Sequence, residues 1–121
     1  MIDPIESLKI ARKLLFESLN SEITDLEINH SIYQLKIIFS TGSILFIRYN
    51  RYQEYGYQII FSKRKGDFVR FDNFDDKWDV STRPHHFHTK TNSQVIESSM
   101  IGIPEKNMPI LIKYLQKEMF S

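Results

Sequence analysis

The stretch Tyr33-Gln34-Leu35-Lys36-Ile37-Ile38-Phe39-Ser40-Thr41-Gly42-Ser43-Ile44-Leu45-Phe46-Ile47-Arg48-Tyr49 decides the fold of this 121-residue chain. Tyr33, Leu35, Ile37 and Phe39 alternate with the polar Gln34 and Lys36. A period of two belongs to a strand with one buried and one wet face. Ser40-Thr41-Gly42-Ser43 reads as a tight turn, with glycine where positive φ is required. Ile44 to Tyr49 is apolar on both faces, which places that strand inside the sheet rather than at its edge. Strands joined by so short a turn pair antiparallel.

The same reading extends in both directions. Upstream, Leu26 and Ile28 alternate with Asp25 and Glu27, and Asn29-His30-Ser31 is a turn in which His30 is an ordinary turn residue. Further upstream the period changes to that of a helix. Asp3-Pro4-Ile5-Glu6 is a helix start, followed by Leu8, Ala11, Leu15 and Leu19 on one stripe. Downstream, Tyr55, Tyr57, Ile59 and Phe61 share a strand face, Lys63 to Gly66 turns the chain, and Asp67 to Asp72 forms a fifth strand. Ile110, Leu111, Tyr114, Leu115 and Met119 define a last helix, with Pro109 expected in its first turn. The expectation is one α+β domain over residues 1–121, with helices at about 4–19 and 107–120. Strands are expected at about 22–29, 32–40, 43–50, 55–62 and 67–73, followed by a His-rich loop at 74–92 with a short sixth strand near Gln94 to Glu97. These strands form an antiparallel meander packed by the two helices.

Composition narrows the function classes. There is no cysteine, hence no disulfide framework, thiolate nucleophile or Cys-ligated zinc. No apolar run approaches the ~20 residues that cross a bilayer, and Met1-Ile2-Asp3-Pro4 lacks the basic start of a signal peptide, so a cytoplasmic protein is expected. The net charge of +1 hides an uneven distribution. Residues 48–70 carry six Lys and Arg against Glu54 and Asp67, whereas residues 71–80 carry four Asp against Lys77. A basic sheet edge beside an acidic, histidine-bearing loop suits a phosphate backbone, although Lys63-Arg64-Lys65 itself reads as a solvated hairpin tip.

Three of the four histidines fall in Arg83-Pro84-His85-His86-Phe87-His88-Thr89-Lys90. Imidazole titrates near neutral pH and serves as acid, base or metal ligand. Pro84 holds the preceding residue extended, so His86 and His88 point to one face and His85 with Phe87 to the other. The fifth strand obeys the same parity, with Arg70 and Asp72 opposite Val69 and Phe71. A site is therefore expected where Arg70 and Asp72 meet His86 and His88.

Three functional readings follow. In RNA cleavage, His86 would be general base, His88 or His85 the acid with Lys90 as a substitute, Asp72 part of the catalytic group, and Arg70 or Arg83 the phosphate ligand. In the second, no cofactor being the default expectation, His86 and His88, joined by Asp72 or Asp75, hold a divalent transition metal. In the third, the loop docks a partner protein through Phe74 and Trp78. Against all three stands the reading that the histidines are hydrogen-bonding residues tying a long loop to the sheet.

Arg70-Phe71-Asp72-Asn73 followed by Pro84-His85-His86-Phe87-His88 resembles the TumE family of small prokaryotic toxin–antitoxin proteins. The resemblance covers roughly residues 35–90, with the amino-terminal helix as an extension and the last helix alike only in type. It implies a toxin component with a cognate antitoxin as partner and RNA as the substrate to test, a homodimer being one option. It also implies that Arg70, Asp72, Asn73, His85, His86 and His88 occupy the family's polar motif positions. Phe74-Asp75-Asp76-Lys77-Trp78 departs from the pattern, since relatives carry small residues and further histidines there.

Overall fold

The computed structural model describes residues 3–90 and 94–120. Helix α1 (Pro4–Leu19) begins where the Asp3 carboxylate accepts from the Ile5 amide at 3.0 Å, with Pro4 in the first helical position. Its buried stripe is Leu8, Ala11, Leu15 and Leu19. A short 3₁₀ turn over Asn20–Glu22 then hands the chain to the sheet.

Seven strands follow in strict sequence order, all antiparallel: β1 (Ile23–Asn29), β2 (Gln34–Phe39), β3 (Ile44–Tyr49), β4 (Tyr55–Ile60), β5 (Phe68–Asp72), β6 (His86–His88) and β7 (Val95–Glu97). Gly42 turns β2 into β3 with φ of +86°, a conformation that costs a residue with a Cβ. The class is the expected α+β meander, with seven strands instead of five or six. The additional strand is the histidine run itself. Residues 86–88 lie within the segment read as loop, but all three pair with Arg70 to Asp72 of β5. A three-residue strand carries too little alternation to show in sequence, and its stability comes from a partner 16 residues away.

Helix α2 (Pro104–Met119) starts three residues earlier than expected. Pro104, not Pro109, holds the first helical position, and Pro109 lies inside the helix. Its missing amide frees the Glu105 carbonyl, and both residues are exposed, so water satisfies that carbonyl at little cost.

Alternation divides the sheet into two faces. The inner face presents Leu35, Ile37, Phe39, Leu45, Ile47, Tyr57, Ile59, Val69 and Phe71 to α1 and α2, and this is the core. Tyr114 of α2 packs edge-on against the stacked pair Phe71 and Phe87, extending the core to β6. Neither helix of the described residues packs on the outer face. At its β5–β6 end, the connection from Asn73 to His85 folds back and sets Trp78 against the rings of His86 and His88, with centroids 5.8 and 5.4 Å away. No helix among the described residues is long and apolar enough to cross a membrane.

Candidate functional site

The β5–β6 ladder aligns Arg70 with His88 and Asp72 with His86. All four side chains therefore leave the same face, as parity requires. Asp72 and His86 are sealed from solvent, with 1% of each side chain accessible, whereas His88 retains 20% and Arg70 44%. The cluster thus has a buried floor and an open rim.

Asp72 is its centre. Oδ1 accepts the Phe74 amide at 3.1 Å and lies 2.8 Å from His86 Nε2. Oδ2 lies 2.5 Å from Arg70 Nε and 3.6 Å from His88 Nε2. None of these side-chain approaches is aligned as a hydrogen bond: Arg70 Nε, Asp72 Oδ2, His86 Nε2 and His88 Nε2 are buried without one. The other nitrogen of His86 is committed, since Nδ1 lies 2.9 Å from the Pro84 carbonyl oxygen. A carbonyl only accepts, so Nδ1 carries the proton and donates. His88 is held below its ordinary pKa, chiefly by burial, with the Asp72 charge working in the opposite direction.

The fold separates the other candidates from this cluster. His85 faces away from it, and its Nδ1 pairs with the Tyr55 hydroxyl at 2.9 Å with the two rings stacked. Burial lowers the pKa of His85 and raises that of Tyr55. Arg83 is engaged by Asp76, with Nε 2.9 Å from Oδ1, within the β5–β6 connection. Lys90 pairs with Asp67 at 3.2 Å and lies over the Phe61 ring. Asn73, a motif position, is a clamp: its amide oxygen accepts from the Tyr55 amide and its Nδ2 donates to the Gln53 carbonyl. Trp78 packs on the histidines and carries Lys77 on its own ring, while Phe74 remains 38% exposed. Asp75 is exposed and stands outside the convergent group.

Two features had no signal in the sequence. A groove of about 320 Å³ on the outer face is lined by Gln34, Phe46, Arg48, Gln58, Arg70 and Phe74, residues from four strands and a loop. On the inner side, Tyr49 and Tyr57 share a hydroxyl contact of 2.7 Å, and Tyr57 donates to Asn107 Oδ1 at 3.0 Å. That oxygen also accepts the Gly102 amide at 2.7 Å. This chain ties β3 and β4 to α2, and its members are too far apart in sequence to be linked by spacing.

A small α+β protein with an open antiparallel sheet, displaying a His-Asp-Arg cluster on the uncovered face, is the class that fold and site define. Residues 10–119 match the family described as toxin TumE, so the chain belongs to the TumE toxin family. The match takes in most of α1 and all of α2, so neither helix is an appendage, contrary to the expectation from the motif alone. Among curated proteins and solved structures, none matches the chain significantly.

Proposed function

We propose that this TumE-family toxin cleaves RNA, with the outer sheet face as the place of action and a cognate antitoxin as the partner that silences it. The observation that carries the reading is the double position of Arg70. Its guanidinium lines the groove and also reaches the buried Asp72 carboxylate at the floor of the cluster. A phosphate held in the groove by Arg70 and Arg48 would therefore lie beside His88, the imidazole at the rim. Phe46 and Phe74 offer ring faces on which unpaired bases stack, the usual way single-stranded RNA is held.

Roles within the cluster differ from those expected by residue type alone. His86 is held through Nδ1 by the Pro84 carbonyl, and its Nε2 is sealed from solvent beside Asp72, so a substrate cannot reach it as general base. It orients the carboxylate. His88 and Arg70 are the groups a substrate can touch, and His85 works at a different place. The exposed Phe74 at the groove gives the antitoxin an aromatic anchor on the same face.

Controlled expression tests this reading. Induction of the wild type is expected to arrest growth with loss of intact RNA, and Arg70→Ala and His88→Ala are expected to relieve both. Normal growth and intact RNA on induction of the wild type would end the proposal.

A further inference from the structure

We infer that Asp72, His86 and His88 form a binding site for a divalent transition-metal ion. The inference deepens the reading of the outer face, but its geometric basis does not depend on RNA. One ligand atom from each residue, a carboxylate oxygen and two imidazole nitrogens, lies within 4.8 Å of the other two. Ligands about 2.0–2.2 Å from a common ion stand roughly 3.4 Å apart in a tetrahedral shell, so small rotamer adjustments close the set.

Three observations point to a cation rather than a simple ion pair. First, His86 Nδ1 donates to the Pro84 carbonyl oxygen at 2.9 Å, which fixes the ring and leaves Nε2 as the nitrogen on the Asp72 side, 2.8 Å from Oδ1. A ring whose far nitrogen donates to a backbone carbonyl is also the usual outer support of a metal-bound histidine. Second, His86 Nε2, His88 Nε2 and Asp72 Oδ2 are all buried with no aligned hydrogen-bond partner. Third, the three ligands stand on two adjacent strands in fixed register, so the site is held by the sheet and not by a loop.

Arg70 is the cation paired with Asp72, and its partly exposed side chain can leave Asp72 for the groove when an ion binds. Two imidazoles and one carboxylate suit a borderline ion such as zinc or cobalt better than magnesium or calcium. Three protein ligands leave a coordination position free, the pattern of a catalytic rather than structural site.

The chain's single tryptophan, Trp78, packs on both histidine rings and provides the readout. Metal-stripped full-length protein is titrated with Co²⁺ while Trp78 emission is followed, and zinc content is measured after dialysis against Zn²⁺. The expected result is saturable quenching and one zinc per chain. His88→Ala and Asp72→Asn should each weaken binding by at least roughly 100-fold, beyond the 10–100-fold that loss of an outer support produces. Because the His88 ring is partly exposed, His88→Ala serves as the informative variant if Asp72→Asn fails to fold.

Substoichiometric zinc in the wild type, or full uptake by a folded His88→Ala variant, would overturn the inference. Stoichiometric, His88-dependent zinc without RNA cleavage would keep the metal site and end the RNA reading. RNA cleavage by a protein that takes up no zinc would do the reverse.

Discussion

The two faces of the sheet use the same alternation for opposite ends. The inner face places Leu, Ile, Val and Tyr against two helices, and the Tyr49 and Tyr57 hydroxyls are joined to Asn107 Oδ1, with only the Asn107 Nδ2 of that chain left without a partner. The outer face, at its β5–β6 end, buries Asp72 and His86 under a loop and leaves their side-chain approaches unaligned. An unsatisfied buried polar group costs about 1–3 kcal/mol, and four such atoms fall in this one cluster. The proposed function puts stability on one face and chemistry on the other. Substitutions can break that division if it is wrong.

The largest stability effect is expected on the inner face. Leu45→Ala removes a fully buried side chain and should cost about 2–5 kcal/mol in denaturant unfolding. On the outer face of the adjacent strand β4, Gln58→Ala should stay within about 0.5 kcal/mol. Comparable losses at both positions would refute the division. Asp72→Ala should fall between them, near the 1–3 kcal/mol of unpaired buried donors, because the Phe74 amide loses its acceptor. It should nevertheless abolish toxicity, and a stable Asp72→Ala that remains toxic would count against the site.

Gly102 offers a test of the inner polar chain. A Cβ there would come 2.8 Å from the Tyr55 ring, in a backbone with φ of +87°. Gly102→Ala should cost about 1–3 kcal/mol by strain alone. Tyr57→Phe should cost about 1 kcal/mol, since Asn107 Oδ1 keeps the Gly102 amide as donor.

Sequence periodicity reveals parity better than pairing. That Arg70 and Asp72 share a face, and His86 and His88 another, follows from the period of two, and the ladder then joins the two faces. What periodicity could not show is that three residues of the histidine run make a strand, because that strand exists through its partner β5. The same parity argument separates His85 from its neighbours, but its partner Tyr55 lies 30 residues away, so its role beside Tyr55 was not legible. Pro109 misled the boundary of α2 because a proline inside a helix is tolerated where the freed carbonyl is exposed. Arg83 and Lys90 were plausible phosphate ligands by charge, yet Asp76 and Asp67 lie close enough to engage them.

The smallest effect is a pH dependence from the inner face. Burial raises the hydroxyl pKa of Tyr49, Tyr55 and Tyr57, and that of Tyr114 to about 12. A folded-state pKa above the unfolded value means stability is intact below about pH 10 and declines as pH rises beyond it. Tyrosinate absorbance should therefore appear together with loss of structure in alkali. Early, noncooperative ionisation of all six tyrosines would show that the inner hydroxyls are not sealed.

The division between faces is tested most directly by growth and RNA integrity after induction of four proteins side by side: wild type, Arg70→Ala, His88→Ala and the turn variant His30→Ala. Wild type and His30→Ala are expected to arrest growth and degrade RNA, while the two outer-face variants accumulate as folded, harmless protein. Undiminished toxicity in His88→Ala and Arg70→Ala would contradict the assignment of chemistry to this face.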